Sequence, residues 1–140
     1  MNSDDCSAII ALRGWHPAIA RQEAISMFPE SEIIRTEARR LVIANGNSDW
    51  SASEIMSGCE CVLTGGGFEK WESIDKLLSS IDAKPTENMA VVCWRHEGKL
   101  PVSTKEVEKL VGGIFHDAGS TFDLENPSKR FGVILDASAC

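Results

Sequence analysis

The side chains able to do chemistry in this sequence are few and scattered. Asn126-Pro127 ends an apolar run, and an Asn-Pro pair has two uses. In amino-methyltransferases a short Asn/Asp-Pro-Pro-aromatic loop grips the amino group to be methylated; in any protein the dipeptide can simply turn the chain. Ser128 and Lys129 stand where the second proline and the ring would be, so a turn is expected, with Pro127 fixing φ and Asn126 capping it. The glycines of TGGGFEK (64–70) match neither a dinucleotide-binding loop nor a P-loop, which needs Gly-Lys-Ser/Thr. Cys6, Cys59, Cys61, Cys93 and Cys140 form no C-x-x-C pair and have no histidine near in sequence to complete a zinc site. Buried, reduced thiols are expected. His16, in GWHP, has no nucleophile or carboxylate beside it that would make it catalytic. No catalytic residue, metal or cofactor is therefore expected.

The cationic residues are the remaining candidates. Arg95, His96 and Lys99 lie together in RHEGK, and Lys129-Arg130 follow the Asn-Pro turn. Each group has two readings: contacts to phosphate oxygens, or a solvated loop, with Glu97 beside the first group. The tryptophans Trp15, Trp50, Trp71 and Trp94 are candidate stacking surfaces for unpaired bases. Trp71 falls on an apolar helical stripe and reads as core. Trp50, in a polar loop, is either the most exposed of the four or a lid on the core.

The elements that must position these residues follow from periodicity. Residues 7–12 read as a buried strand, and 17–28 as a helix with Pro17 in its first turn and Ile19, Ala20, Ile25 and Phe28 inward. Two β-rich runs, EIIRT and RLVIAN, suggest a hairpin. Ser51 and Glu54 form a capping box for a short helix, and 59–67 read as a strand. The order β-α-β-β-α-β is that of a ferredoxin-like subdomain, assigned to 1–68. In 69–140, Trp71, Ile74, Leu77, Leu78 and Ile81 mark a helix from about Glu69 to Ile81, and 89–95 read as a strand. A helix capped by Ser103 and Glu106 follows, with Val107, Leu110, Val111, Ile114 and Phe115 inward. Gly112-Gly113 weaken it and suggest close packing against a neighbour. TFDL, a turn and RFGVILDA complete an α+β chain.

Composition narrows the function classes. With 43% hydrophobic and 25% charged residues, the 140-residue chain is globular rather than disordered. No apolar run approaches the ~18–20 residues that cross a bilayer, and the start is acidic where a signal peptide is basic; the cytoplasm is the expected location. The net charge of −7 opposes strong nucleic-acid binding. It is uneven: residues 1–83 hold 7 Lys/Arg against 13 Asp/Glu, and residues 84–140 hold 7 against 8. Only the second part is able to present a basic face.

FDLENPSKRFGVIL, about ten residues after an amphipathic helix, resembles the core signature of THUMP domains, and VVCWRHEGKLPVSTKEVEKLVGGIF is similar to the strand, polar loop and Ser-capped helix before it. IIALRGWHPAIARQEAISMF resembles the opening of archaeal-type tRNA guanine-N2-methyltransferases, in which a ferredoxin-like domain precedes the THUMP domain. The resemblance spans nearly the whole chain. It implies a non-catalytic tRNA-binding module, with Arg95, His96, Lys99, Lys105, Lys129 and Arg130 on the RNA-binding positions and Asp123, Asn126 and Pro127 shaping a hairpin turn. The chain departs from the family in its acidity and in stopping at Cys140, where further strands normally follow; a compact, minimal or truncated THUMP-like αβαββ subdomain is implied for 69–140. The implied partners are tRNA, bound weakly, and a protein partner or second copy at an exposed strand edge. The alternatives are an assembly module of THUMP ancestry that no longer binds RNA, and the N-terminal part of an S-adenosylmethionine-dependent tRNA methyltransferase whose catalytic domain lies outside this sequence.

Overall fold

A computed structural model describes residues 4–14, 16–34, 39–50 and 59–137. The chain is α+β and divides into two compact units, the first ending at Lys70 and the second spanning Trp71–Ala137.

In the first unit, β1 (Asp4–Leu12) has strands on both sides, and Ala8, Ile10, Ala11 and Leu12 of its apolar second half are buried. It pairs antiparallel with β3 (Leu41–Ala44), from Ala8↔Ala44 to Ala11↔Leu41, and antiparallel with β4 (Cys59–Phe68), from Asp4↔Phe68 to Leu12↔Cys59. The short β2 (Ile33–Ile34) pairs with β3, giving the order β2-β3-β1-β4. This is the antiparallel order of a ferredoxin-like sheet. The expected helix opened by Ser51 and Glu54 lies outside the described residues, as do Trp15 and Cys140.

Helix α1 (Pro17–Ser26) begins at Pro17, whose missing N–H costs nothing in a first turn. His16 occupies the N-cap, exposed, and its carbonyl accepts from Ala20 N–H at 2.9 Å. The helix buries Ala20 and Ala24 against Ile10, Leu12 and Val42, with Phe28 beyond its end. Ile19, expected inward, is 68% exposed. Ala20, Ala24 and Phe28 are spaced by four residues, and Ile19 lies about 100° around the helix from Ala20. Trp50 is buried, its ring centroid 4.7 Å from that of Phe28, and so lids this core.

In the second unit, α2 (Ile74–Ser79) is shorter than expected because Ser73 caps it, accepting from Lys76 N–H at 3.1 Å. Trp71, Ile74, Leu77, Leu78 and Ile81 still pack on the core. Strand β5 (Met89–Arg95), helix α3 (Thr104–Asp117) and strand β6 (Lys129–Leu135) form a parallel β-α-β unit, in register from Met89↔Lys129 to Arg95↔Leu135. Val107, Val111 and Phe115 of α3 face Met89, Cys93, Val133 and Leu135. The close packing expected at Gly112-Gly113 is not found: a Cβ built on either glycine meets nothing within 4 Å.

The Asp-Leu-x-Asn-Pro segment is not a hairpin. TFDL forms a single parallel bridge, Phe122 with Met89. The chain then rounds the start of β5 and leaves as β6, also parallel to β5. Nor does Asn126 cap the turn. Asp123 Oδ1 accepts from the N–H groups of Glu125 (3.1 Å) and Asn126 (3.0 Å), because its side chain, one turn earlier, is the one that faces the turning backbone.

Candidate nucleic-acid interface

Parallel strands deliver their loops at their carboxyl ends, where the amino-terminal end of the connecting helix adds a positive dipole. At this end of the second unit, β5 finishes in Arg95, the loop 96–103 follows, and α3 begins at Thr104.

The loop is fixed along its length. His96 N–H donates to the Leu135 carbonyl at 2.9 Å, and Ala137 N–H donates to the Glu97 carbonyl at 2.8 Å, which extends the parallel pairing past both strands. Gly98 has φ of 77°, and a Cβ there would lie 2.6 Å from the Ala137 Cβ. Only glycine fits this approach without strain. Val102 is buried, and its carbonyl accepts from Arg95 Nη2, so the strand end clamps the far side of the loop. Ser103 Oγ then accepts from Glu106 N–H at 3.0 Å and caps α3, as its spacing from Glu106 leads one to expect.

Three of the six sequence-derived cations share this end. Arg95, Lys99 and Lys105 are exposed, on the strand end, the loop and the first helical turn. Glu97, Glu106 and the buried Asp136 lie at the same end, so the formal charges of the carboxylates and of these three cations balance. His96 does not belong to the surface. It is 8% exposed, because alternation along the extended chain turns its ring inward after the outward Arg95. Lys129 and Arg130 are exposed but stand at the opposite end: Lys129 is level with Met89, six residues before Arg95, or about 20 Å along the strand. The sequence reading gave them RNA-binding positions together with Arg95, and the parallel pairing of β5 and β6 puts them at opposite ends of the unit. It also missed the residues that hold the loop, Gly98, Val102 and Ala137. The one signal available for them was a glycine in a polar loop.

Nothing here is arranged as an activated nucleophile. The Cys93 thiol is pushed up to about 11, first by burial and then by the Glu108 carboxylate, with Arg95 offsetting part of the rise. Glu108 Oε1 accepts from Cys93 N–H at 3.0 Å, covering the outer edge of β5. Among the described residues, no group of three or more His, Cys, Asp or Glu side chains could hold a metal ion, and no helix is long and apolar enough to cross a membrane.

Fold and site thus define a two-unit α+β protein whose second unit presents a preorganised cationic loop at the carboxyl end of a parallel β-α-β unit. The chain is similar in fold to the crystal structure of PH1313 from Pyrococcus horikoshii Ot3, with a TM-score of 0.57 and 17% identity over 93% of this chain. It spans about half of that protein, 51% of its length. No protein-family model and no curated protein matches the sequence.

Proposed function

We propose that the chain is a non-catalytic RNA-binding module: a ferredoxin-like unit followed by a THUMP-like unit, which together position tRNA for a modification enzyme. The observation that supports this reading best is the rigid loop carrying Arg95 and Lys99 into the Lys105 turn of α3. A phosphate oxygen reaching this end meets Lys99, Lys105 and the Arg95 guanidinium already held on the Val102 carbonyl, a positive helix end and an ordered backbone, so binding orders little more than side chains. Phosphate contacts of this kind fix position and orientation without reading sequence. The balanced local charge and the net charge of −7 favour weak binding, assisted by a larger assembly. A methyltransferase catalytic domain, elsewhere in the same protein or on a partner, fits this role.

Fluorescence anisotropy of a tRNA transcript against the purified chain, at low and moderate salt, tests the proposal. Affinity is expected to fall steeply with salt, and Arg95→Ala with Lys99→Ala to lower both the affinity and the salt slope. Binding that is absent at low salt overturns it.

The second reading is a protein-assembly module. It is favoured by β6, whose far side is paired with no strand among the described residues, leaving an edge suited to strand addition. It predicts a stable, salt-tolerant oligomer and indifference to tRNA, which sedimentation at several salt concentrations distinguishes.

A further inference from the structure

The arginines of the first unit gather at one end of its sheet. β1 ends at Leu12, while β3 starts at Leu41 and β4 at Cys59, so antiparallel pairing brings these residues level on adjacent strands. Each accepts a hydrogen bond from a different guanidinium. Arg13 Nε donates to the Cys59 carbonyl at 3.2 Å, Arg40 Nε to that of Leu12 at 3.2 Å, and Arg21 Nη1 to that of Leu41 at 2.6 Å. Adjacent strands stand about 4.8 Å apart, so the three carbonyls span about 10 Å. Gly14 leaves the space that the Arg40 guanidinium fills, since a Cβ there would lie 3.2 Å from Arg40 Cζ. Arg39, exposed, adds a fourth cation beside Arg40. Among the described residues, the carboxylate at this end is that of Glu60, whose Oε2 lies 3.5 Å from Arg40 Nη2. Glu23 is two residues farther along α1 than Arg21 and about 200° around it. Other acidic residues of the unit stand at the opposite end. Glu32 accepts from Asn45 N–H just past β3 and from Ser48 Oγ, with Glu30 two residues before it and Asp49 beside Ser48. The acidic sum over residues 1–83 conceals this separation, and with it a basic face that the sequence reading did not give to the first part.

We infer that this arginine end is a phosphate-binding surface for the RNA backbone, carried by the first unit and separate from the loop of the second. Covering three strand-end carbonyls takes three donors, but not three permanent charges crowded together, whose mutual repulsion a bound anion relieves. A guanidinium presents a planar fork that matches two phosphate oxygens. Arg13 is exposed and spends only its Nε on the protein among the described residues, so both terminal nitrogens remain for a ligand. The carbonyl bonds hold the arginines in place beforehand, which lowers the entropy lost on binding. Helix α1 begins at the same end with no acidic residue in its first turn, and its dipole adds the same sign. The inference rests on the RNA-binding reading above and extends it to the first unit.

The experiment is anisotropy titration of a tRNA transcript over a salt series with the full chain and with Arg13→Ala, Arg13→Lys, Arg39→Glu, Glu60→Gln and Lys70→Ala, each checked by thermal unfolding. Arg13→Ala is expected to weaken binding several-fold and to flatten the log–log salt slope by about 0.7–0.9, the increment for one phosphate contact. Arg13→Lys should keep the slope but lose part of the affinity, because the charge stays and the fork goes. Arg39→Glu should weaken binding and Glu60→Gln tighten it. Lys70→Ala removes an equal charge just past the far end of β4 at Phe68 and should leave binding unchanged. If the Arg13 and Arg39 variants alter the melting temperature but neither affinity nor slope, the arginines only brace the strand ends and the inference is overturned. Weaker binding by Arg95→Ala with Lys99→Ala would then leave the RNA-binding reading standing. If Lys70→Ala weakens binding as much as Arg13→Ala, the effect belongs to net charge and the surface is likewise overturned. If the wild-type chain binds no RNA, both fail together.

Discussion

Gly98→Ala is the substitution whose cost the structure defines most fully. Two terms add. A non-glycine residue at the observed φ of 77° enters the left-handed region at about 1–2 kcal/mol. The new methyl would also start 2.6 Å from Ala137 Cβ, an overlap whose relief by backbone movement costs about 1–3 kcal/mol. Together they destabilise the second unit by about 3 kcal/mol, or roughly 12–24 °C in Tm for a unit of this size. Gly119 supplies the control, since it also has positive φ (95°) but nothing within 4 Å of a built Cβ. Gly119→Ala should therefore show the conformational term alone. The assay is thermal unfolding by circular dichroism of both single variants and of a double-mutant cycle joining Gly98→Ala to Ala137→Gly. The cycle should return a coupling of about 1–2 kcal/mol, because removing the Ala137 methyl relieves the overlap while the strain in φ remains. Equal costs at Gly98 and Gly119, with no coupling to Ala137, would refute the claim that this contact fixes the cationic loop.

Asp123→Ala removes an oxygen that accepts two backbone N–H bonds and should cost about 1–2 kcal/mol by chemical denaturation. Asn126→Ala should cost well under 1 kcal/mol; the reverse ranking would mean that the turn is capped by Asn126 after all. Ser103→Ala should cost about 1 kcal/mol through loss of the cap on α3, measured in the same way. Cys93 gives a pH dependence of defined sign. Its folded pKa, about 11, lies above the ordinary thiol value of 9.0, so the unfolded chain releases the thiol proton first. The stability this group contributes is full below about 9 and falls away as pH rises toward about 11. Denaturant titrations from pH 8 to 11 should show that decline in the wild type and a smaller one in Cys93→Ala.

Legibility in the sequence followed the strength of local signals. Ser103 with Glu106 announced the start of α3, and of the five residues read inward Val107, Val111 and Phe115 are buried and Ile114 half-buried while Leu110 is exposed, because capping and helical period are written within a few residues but the width of the buried stripe is not. The same rule failed at Ile19. An apolar side chain in an apolar helix looks inward until Ala20 and Ala24 take the sheet, and which stripe wins depends on Ile10 and Val42 of other strands. Glycine was ambiguous in a similar way. Gly98 and Gly113 look alike in sequence, but one is required by contact with Ala137 and the other stands in open space.

The candidate site split for a topological reason. Arg95 and Lys129-Arg130 are cations at the ends of neighbouring strands, and whether they meet depends on strand direction alone. In an antiparallel pair the start of β6 would lie beside the end of β5, and the five charges would converge. In the parallel pair the start of β6 lies beside Met89, and the charges part by the length of the strand. The Asn-Pro turn, read as a hairpin, suggests that TFDL and β6 are antiparallel neighbours, since hairpins need only a few linking residues. What reversed it is the bridge from Phe122 to Met89: the return from α3 already lies along β5 before the turn, and the turn carries the chain around that strand to its other edge. The residues that share an end with Arg95 are consequently those the chain reaches next, Lys99 and Lys105. The proposed interface is thus local in sequence, and the Gly98 and Ser103 substitutions act on it more directly than any change at Lys129 or Arg130.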